Sequence, residues 1–300
     1  MSVLLSAGAA TTLAAADKSI PGGSSAAQII DKHVAARGGL PAWHAVQTLS
    51  ISGKLEAGSA SSIERSMVIS RQGLGASARR AERAAAEQAA TQAAAQQVQL
   101  PFRLEMKRPH KSRFEVDFAG KTAVQVYDGE HGWKYRPFLN REDVEPYNKD
   151  EAKSQQSTPE FDGLLADYSA KGSHVALEGV EPVEGRAAYR LKVTMKNGDE
   201  RHVWIDARTF LDVKVEGPPR HMDGRLHKVF VSQRDFRATN GINVPYAYDI
   251  AVEGYPGSRK MLLETVSVNS PLDDMRFEKP AALLAASASP GVKPALPAAR

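Results

Sequence analysis

The chain has 300 residues, 42% of them hydrophobic and 25% charged, an ordinary globular balance that excludes wholesale disorder. Its 39 Lys and Arg against 35 Asp and Glu leave a formal charge of +4, too small over this length for a dedicated nucleic-acid binder. Cysteine is absent, which excludes thiolate chemistry, cysteine-based zinc sites and a lipid anchor carried on cysteine.

Residues 1–16 hold an apolar run, carry no charge and end in Ala14-Ala15-Ala16 before Asp17. Small residues at this spacing are what a signal peptidase accepts, so the expectation is export with a mature start at Asp17. Ser25 is placed to cap a helix running to about Arg37, with Ile29, Ile30, His33 and Val34 on one side and Gly38-Gly39 as its stop. Pro41 opens a short second helix through Trp43. Leu49 and Ile51 alternate with polar neighbours in a strand over 47–56, with 63–70 as its hairpin partner. Residues 71–98 are rich in Ala, Gln, Glu and Arg. High helix propensity without an apolar face predicts an inserted, solvated helix or loop between two strands.

Beyond the insertion the pattern is antiparallel β. Phe114, Val116 and Phe118 alternate with Glu115 and Asp117, and the Ala119-Gly120 turn leads into Thr122, Val124 and Val126. The stretch 147–171 predicts a helix whose stripe is Phe161, Leu164, Leu165 and Tyr168, closed by Gly172. Tyr189, Leu191, Val193 and Met195 alternate next. A two-residue turn at Asn197-Gly198 would set Leu191 opposite Trp204 and Val193 opposite His202. Further strands cover 226–236, 244–252 and 260–268, separated by Asn240-Gly241 and Tyr255-Pro256-Gly257 turns. The Ala/Ser/Pro-rich segment 281–300 predicts a disordered tail.

These elements give an α+β domain over 25–280. About nine to eleven strands cannot stay flat and should curl toward an antiparallel β-barrel, and the N-terminal and middle helices laid inside such a curl would leave an apolar groove between the layers. Motifs for other chemistry are weak. Gly120-Lys121-Thr122 lacks the earlier glycine and the following helix of a phosphate-binding loop. His221, Asp223 and His227 could share a strand face as metal ligands, but Asp223-Gly224 reads as a turn. There is no GxSxG elbow, so no catalytic residue, metal or cofactor is assigned. The basic run 107–113 is either a docking edge for an acidic partner or a strand end kept soluble by charge.

The string MKRPHKSRFEVDFAGKTAVQVYDGEHGWKYRP (106–137) resembles the signature of LolA-like proteins of outer-membrane lipoprotein sorting. Its strand end carries Tyr127, Asp128, Gly129 and Trp133. Supporting pieces are VAARGGLPAWHAVQTLSISG (34–53), EPVEGRAAYRLKV (181–193), VWIDART (203–209), NGINVPYAYDI (240–250) and SVNSPLDDMRFEKP (267–280). The resemblance implies an incomplete barrel around helices, with an apolar cavity that holds acyl chains in the periplasm. It implies a carrier or binder of an acylated lipoprotein or lipid, served by a membrane-anchored donor or acceptor protein, with no nucleic acid involved. The expected cavity lining is Phe114, Val116, Phe118, Val124, Leu191, Trp204, Tyr246, Tyr248 and Ile250. The alternative is a lipid-sensing regulatory module of the same fold in the envelope.

Overall fold

The computed structural model describes residues 23–57, 98–137, 141–158 and 160–280. The expected signal segment 1–16, the strand expected at 63–70, the insertion up to residue 97 and the tail from 281 lie outside the described residues.

Helix α1 (Ala26–Ala36) begins at Ser25, whose side chain accepts from the Gln28 N–H while the Gln28 side chain accepts from the Ser25 N–H. It stops at Gly38, with φ of +111°. A side chain there is excluded, since a Cβ would lie 2.3 Å from the Gly241 carbonyl oxygen. Helix α2 (Leu40–Ala45) follows at once, with Pro41 in its first turn. The strands are β1 (Thr48–Ala57), β2 (Val98–Lys107), β3 (Lys111–Phe118), β4 (Lys121–Tyr127), β5 (Gly132–Arg136) and β6 (Arg141–Pro146), then helix α3 (Lys149–Gln156). After α3 come β7 (His174–Val183), β8 (Arg186–Thr194), β9 (Glu200–Asp206), β10 (Asp212–Met222), β11 (Arg225–Thr239), β12 (Ile242–Val252) and β13 (Ser258–Val268). A 3-10 turn at Asp274–Phe277 follows β13.

All thirteen strands form one antiparallel sheet in the order β6-β5-β4-β3-β2-β1-β13-β12-β11-β10-β9-β8-β7. Its edges, β6 and β7, are consecutive in the chain, so the segment joining them must cross the sheet. The crossing shows how strongly the sheet is curled. Glu151 of α3 binds Lys134 in β5, and Asp150 lies 3.9 Å from His221 in β10. In a flat sheet β5 and β10 would be about 38 Å apart at ~4.8 Å per strand. An eight-residue helix is only about 12 Å long, so the two walls face each other across an open barrel.

Two apolar clusters fill the concave side. Trp43 of α2 packs with Leu49, Ile51, Leu55, Phe102, Ile242, Val244 and Leu263. Ile29 and Ile30 of α1, with Leu164 and Leu165, cover Leu191, Val193, Val203 and Ile205. A buried ion pair, Arg37 Nη1 to Asp212 at 2.9 Å, ties α1 to β10, and the Arg37 Nε also donates to the Asn243 carbonyl.

Several expectations need correction. Thirteen strands are present among the described residues instead of nine to eleven; the additions include β2, where Leu100, Phe102, Leu104 and Met106 point to one side. Both edges of β1 are occupied, by β2 and β13. The middle helix is split. Only α3 is α-helical, while 161–172 runs in successive turns, because Gly163 (φ +89°) and Asp167 (φ +50°) adopt left-handed backbone that interrupts a right-handed helix. Its Leu164 and Leu165 are nonetheless buried.

The β8–β9 register also differs. Only Gly198 of the turn has positive φ, and Met195 and Asp199 flank a three-residue loop. Leu191 therefore faces Val203 and Val193 faces Arg201, while Trp204 pairs with Arg190 and His202 with Lys192 on the convex face.

Candidate functional site

Between the β2–β4 wall and α3 lies a cavity of about 220 Å³. Its floor follows from strand register. Leu104 pairs with Phe114, Met106 with Ser112 and Phe114 with Gln125, so all five side chains point to the concave side. Tyr147 closes one end. Its ring lies directly over Gly132, where a Cβ would come within 2.0 Å of it, so only glycine fits. Gln155, Thr158, Glu160 and Phe161 form the roof, and Lys107, His110 and Lys111 the rim.

Floor and roof differ in chemistry. Leu104, Met106 and Phe114 are apolar and half-buried, and Phe102 and Phe114 continue the surface with rings 5.8 Å apart. The roof helix α3 reads KDEAKSQQ and buries none of its residues. Hydrogen bonds and ion pairs hold it in place. Asn148 and Glu151 cap each other, and Glu151 also receives the buried Lys134 ammonium at 2.5 and 2.6 Å. Gln155 Nε2 donates to Ser112 Oγ at 3.2 Å. Beyond α3, Phe161 lies 4.5 Å beneath the Arg108 guanidinium, which pairs with Glu160 and, at 3.0 Å, with Asp162.

Burial dominates the titration of this region. It pushes the Tyr147 hydroxyl up to about 12, with the Glu151 charge adding to the effect. Burial also lowers His110 at the rim, helped by the Lys171 charge. The basic run 107–113 is neutralised within the fold. Lys107 and Lys111 share Asp274 at 3.0 and 3.1 Å, Arg108 has Asp162, and Arg113 has Glu115 at 2.6 Å. Among the described residues, no group of three or more His, Asp or Glu side chains is arranged to hold a metal ion.

Of the nine residues expected to line a cavity, Phe114 lines this one. Val116 shares its face opposite Phe102 and packs on the Trp43 cluster; Phe118 lies half-buried at the end of the same strand. Val124 belongs to the other face. Ala119 and Gly120 form a two-residue turn with positive φ at both positions, so Val124 pairs with Glu115. There it packs with Val126 and Phe277. Leu191 is fully buried beneath α1 and is core. Trp204 lies on the convex face among Val183, Ala188, Val213 and Phe230, with the Lys214 ammonium 4.2 Å above its ring. Tyr246 and Tyr248 are on the concave face but pack against the Trp43 cluster, where burial pushes the Tyr248 hydroxyl up to about 12. Ile250 shares that face by register, opposite Arg259. Leu104 and Met106 escape the sequence reading, although the alternation of β2 carries their signal. Tyr147, Gln155 and Thr158 have no such pattern to betray them.

No family model matches the chain, and no curated protein matches it. Among solved structures it is similar to a LolA superfamily protein from Nitrosomonas europaea, at 14% identity over 85% of this chain and 98% of that one, with a TM-score of 0.49. It is similar to a DUF1329 family protein from Desulfovibrio piger, at 13% identity over 83% and 95%, with a TM-score of 0.49. It is also similar to the lipoprotein LppX of Mycobacterium tuberculosis, at 9% identity over 83% and 99%, with a TM-score of 0.28.

Proposed function

We propose that the protein binds a ligand bearing an acyl chain, and that the chain enters the cavity between the β2–β4 wall and α3. The observation that carries this reading is the mismatch of walls: Leu104, Met106 and Phe114 pack at one side on the Trp43 cluster and Phe161, yet stay half-buried because the helix across from them has no apolar side to cover them. A chain laid on that floor gains roughly 0.8 kcal/mol per buried methylene before the costs of ordering it. At about 220 Å³ the space is below the ~300–1,000 Å³ of pockets for drug-sized ligands, which suits one slender chain. Carriage of a lipid or acylated lipoprotein outside the cytoplasm is supported by the leader-like segment 1–16 and by the LolA-like strings.

The test uses N-phenyl-1-naphthylamine, an uncharged dye that fluoresces in apolar surroundings. Phe114→Glu places a charge on the floor and should abolish the signal while the protein stays folded, since Phe114 is only half-buried. Glu115→Lys, one residue on and facing the other way, should leave binding within about twofold of wild type. A folded Phe114→Glu protein with undiminished fluorescence would remove the cavity from consideration.

A further inference from the structure

Among the described residues, Arg201 is buried on the concave face with both terminal nitrogens unpaired. It pairs with Val193 in the β8–β9 ladder, and Val193 is part of the core under α1. Arg201 is only 3% exposed, and neither Nη1 nor Nη2 has a hydrogen-bond partner. A guanidinium closed off in this way is strongly unfavourable unless an anion meets it.

Asp199 and Glu216, whose charges act on Arg201, make their hydrogen bonds to other groups. Glu216 is on the opposite face, held by His202 at 2.7 Å and Lys228 at 3.1 Å. Asp199 flanks the hairpin loop, bonded to Asn197 at 3.0 Å. The neighbouring strand leaves its side-chain position empty beside the guanidinium. Val203 pairs with Val215, so two residues further along each strand Arg201 adjoins Gly217. A side chain at Gly217 would meet nothing nearer than Val229 at 3.8 Å. Arg220, opposite His227, and Arg259, opposite Ile250, face the same side towards this end of the sheet. Neither has an acidic ion-pair partner among the described residues, and burial together with the Arg259 charge lowers the pKa of Arg220.

We propose that Arg201 receives the anionic group, carboxylate or phosphate, of an amphiphilic ligand on the concave face. This rests on the acyl-chain reading above and adds the class of headgroup. A guanidinium offers either anion two parallel N–H donors, which an alcohol of the same length cannot exploit as fully.

The experiment displaces the uncharged dye from the full-length protein with dodecanoate, dodecyl phosphate or dodecanol, at about pH 8 where the carboxylate is ionised. Wild type should prefer both anions to the alcohol by about tenfold or more. Arg201→Met should bring the three within about twofold of one another while dodecanol still binds as in wild type, and its melting temperature should match or exceed that of wild type. Arg201→Lys, which keeps a charge but loses the fork, should retain part of the preference. Equal displacement by acid and alcohol in wild type, or an unchanged preference in Arg201→Met, would overturn the assignment and leave the cavity reading standing. Inorganic phosphate that binds wild type but not Arg201→Met, and leaves displacement by dodecanoate unchanged, would assign the guanidinium to a free anion and overturn the amphiphile. If the dye and all three chains fail to bind wild type, both readings fall.

Discussion

The two halves of the concave face are built from similar strands but covered differently. Under α1, apolar side chains meet apolar side chains, and Leu191, Val193 and Ile205 are wholly excluded from water. Under α3, Leu104, Met106 and Phe114 meet a helix made of Lys, Asp, Glu, Ser, Gln and one Ala. The roof therefore decides whether a strand face is sealed as core or borders a cavity. Removing α1 would expose its own apolar stripe together with the strands. Lifting α3 uncovers the half-buried floor but no apolar face of the helix itself, and apart from the Lys134–Glu151 pair it breaks contacts that water can replace in large part.

The largest effect that separates the halves is a cavity made under α1. Leu191→Ala should cost about 2–5 kcal/mol in urea unfolding, because the dry site cannot collapse fully. Phe114→Ala should cost about 1 kcal/mol, since its ring is only half-buried and gives up part of the ~1.5–3 kcal/mol of a fully buried side chain. Equal losses at the two positions would erase the distinction.

A smaller effect uses one tyrosine beside α3 and one under the Trp43 cluster. Tyr147 and Tyr248 both have hydroxyls pushed up to about 12, so the fold holds them neutral. This stabilisation is complete below about 10 and is lost as the pH rises from about 10 through about 12. Glu151→Gln removes the charge beside Tyr147 and loosens α3. In a spectrophotometric titration Tyr147 should move back towards 10, while Tyr248 under the Trp43 cluster stays near 12. A matched shift of both tyrosines would mean that α3 is no more separable than the core.

Much of this division could be read from the residues, and the failures have local causes. Asn240-Gly241 was a dependable hairpin signal: both residues have positive φ, and Thr239 pairs with Ile242. The same dipeptide at 197–198 misleads, because Asn197 stays right-handed and the loop takes a third residue. One residue of slip then sends Trp204 from the concave to the convex face. Val124 is a different case, since the Ala119-Gly120 turn that places it opposite Glu115 is visible in the sequence. The stripe Phe161, Leu164, Leu165 and Tyr168 marks burial correctly without marking a helix, because left-handed residues at 163 and 167 leave the spacing of apolar positions untouched. The cavity itself was not legible. It depends on the curl that brings α3 across to β10, a property of thirteen strands together and of no single segment.

The central claim is that the acyl chain lies under α3 and not under α1, and photocrosslinking addresses it directly. A dodecanoyl chain ending in a diazirine, irradiated on the full-length protein and mapped by mass spectrometry, should label peptides containing Leu104, Met106, Phe114 and Phe161. Excess unlabelled dodecanoate should suppress that labelling. Label concentrated on α1 or on β8 and β9, around Ile29, Leu191 and Ile205, would contradict the account.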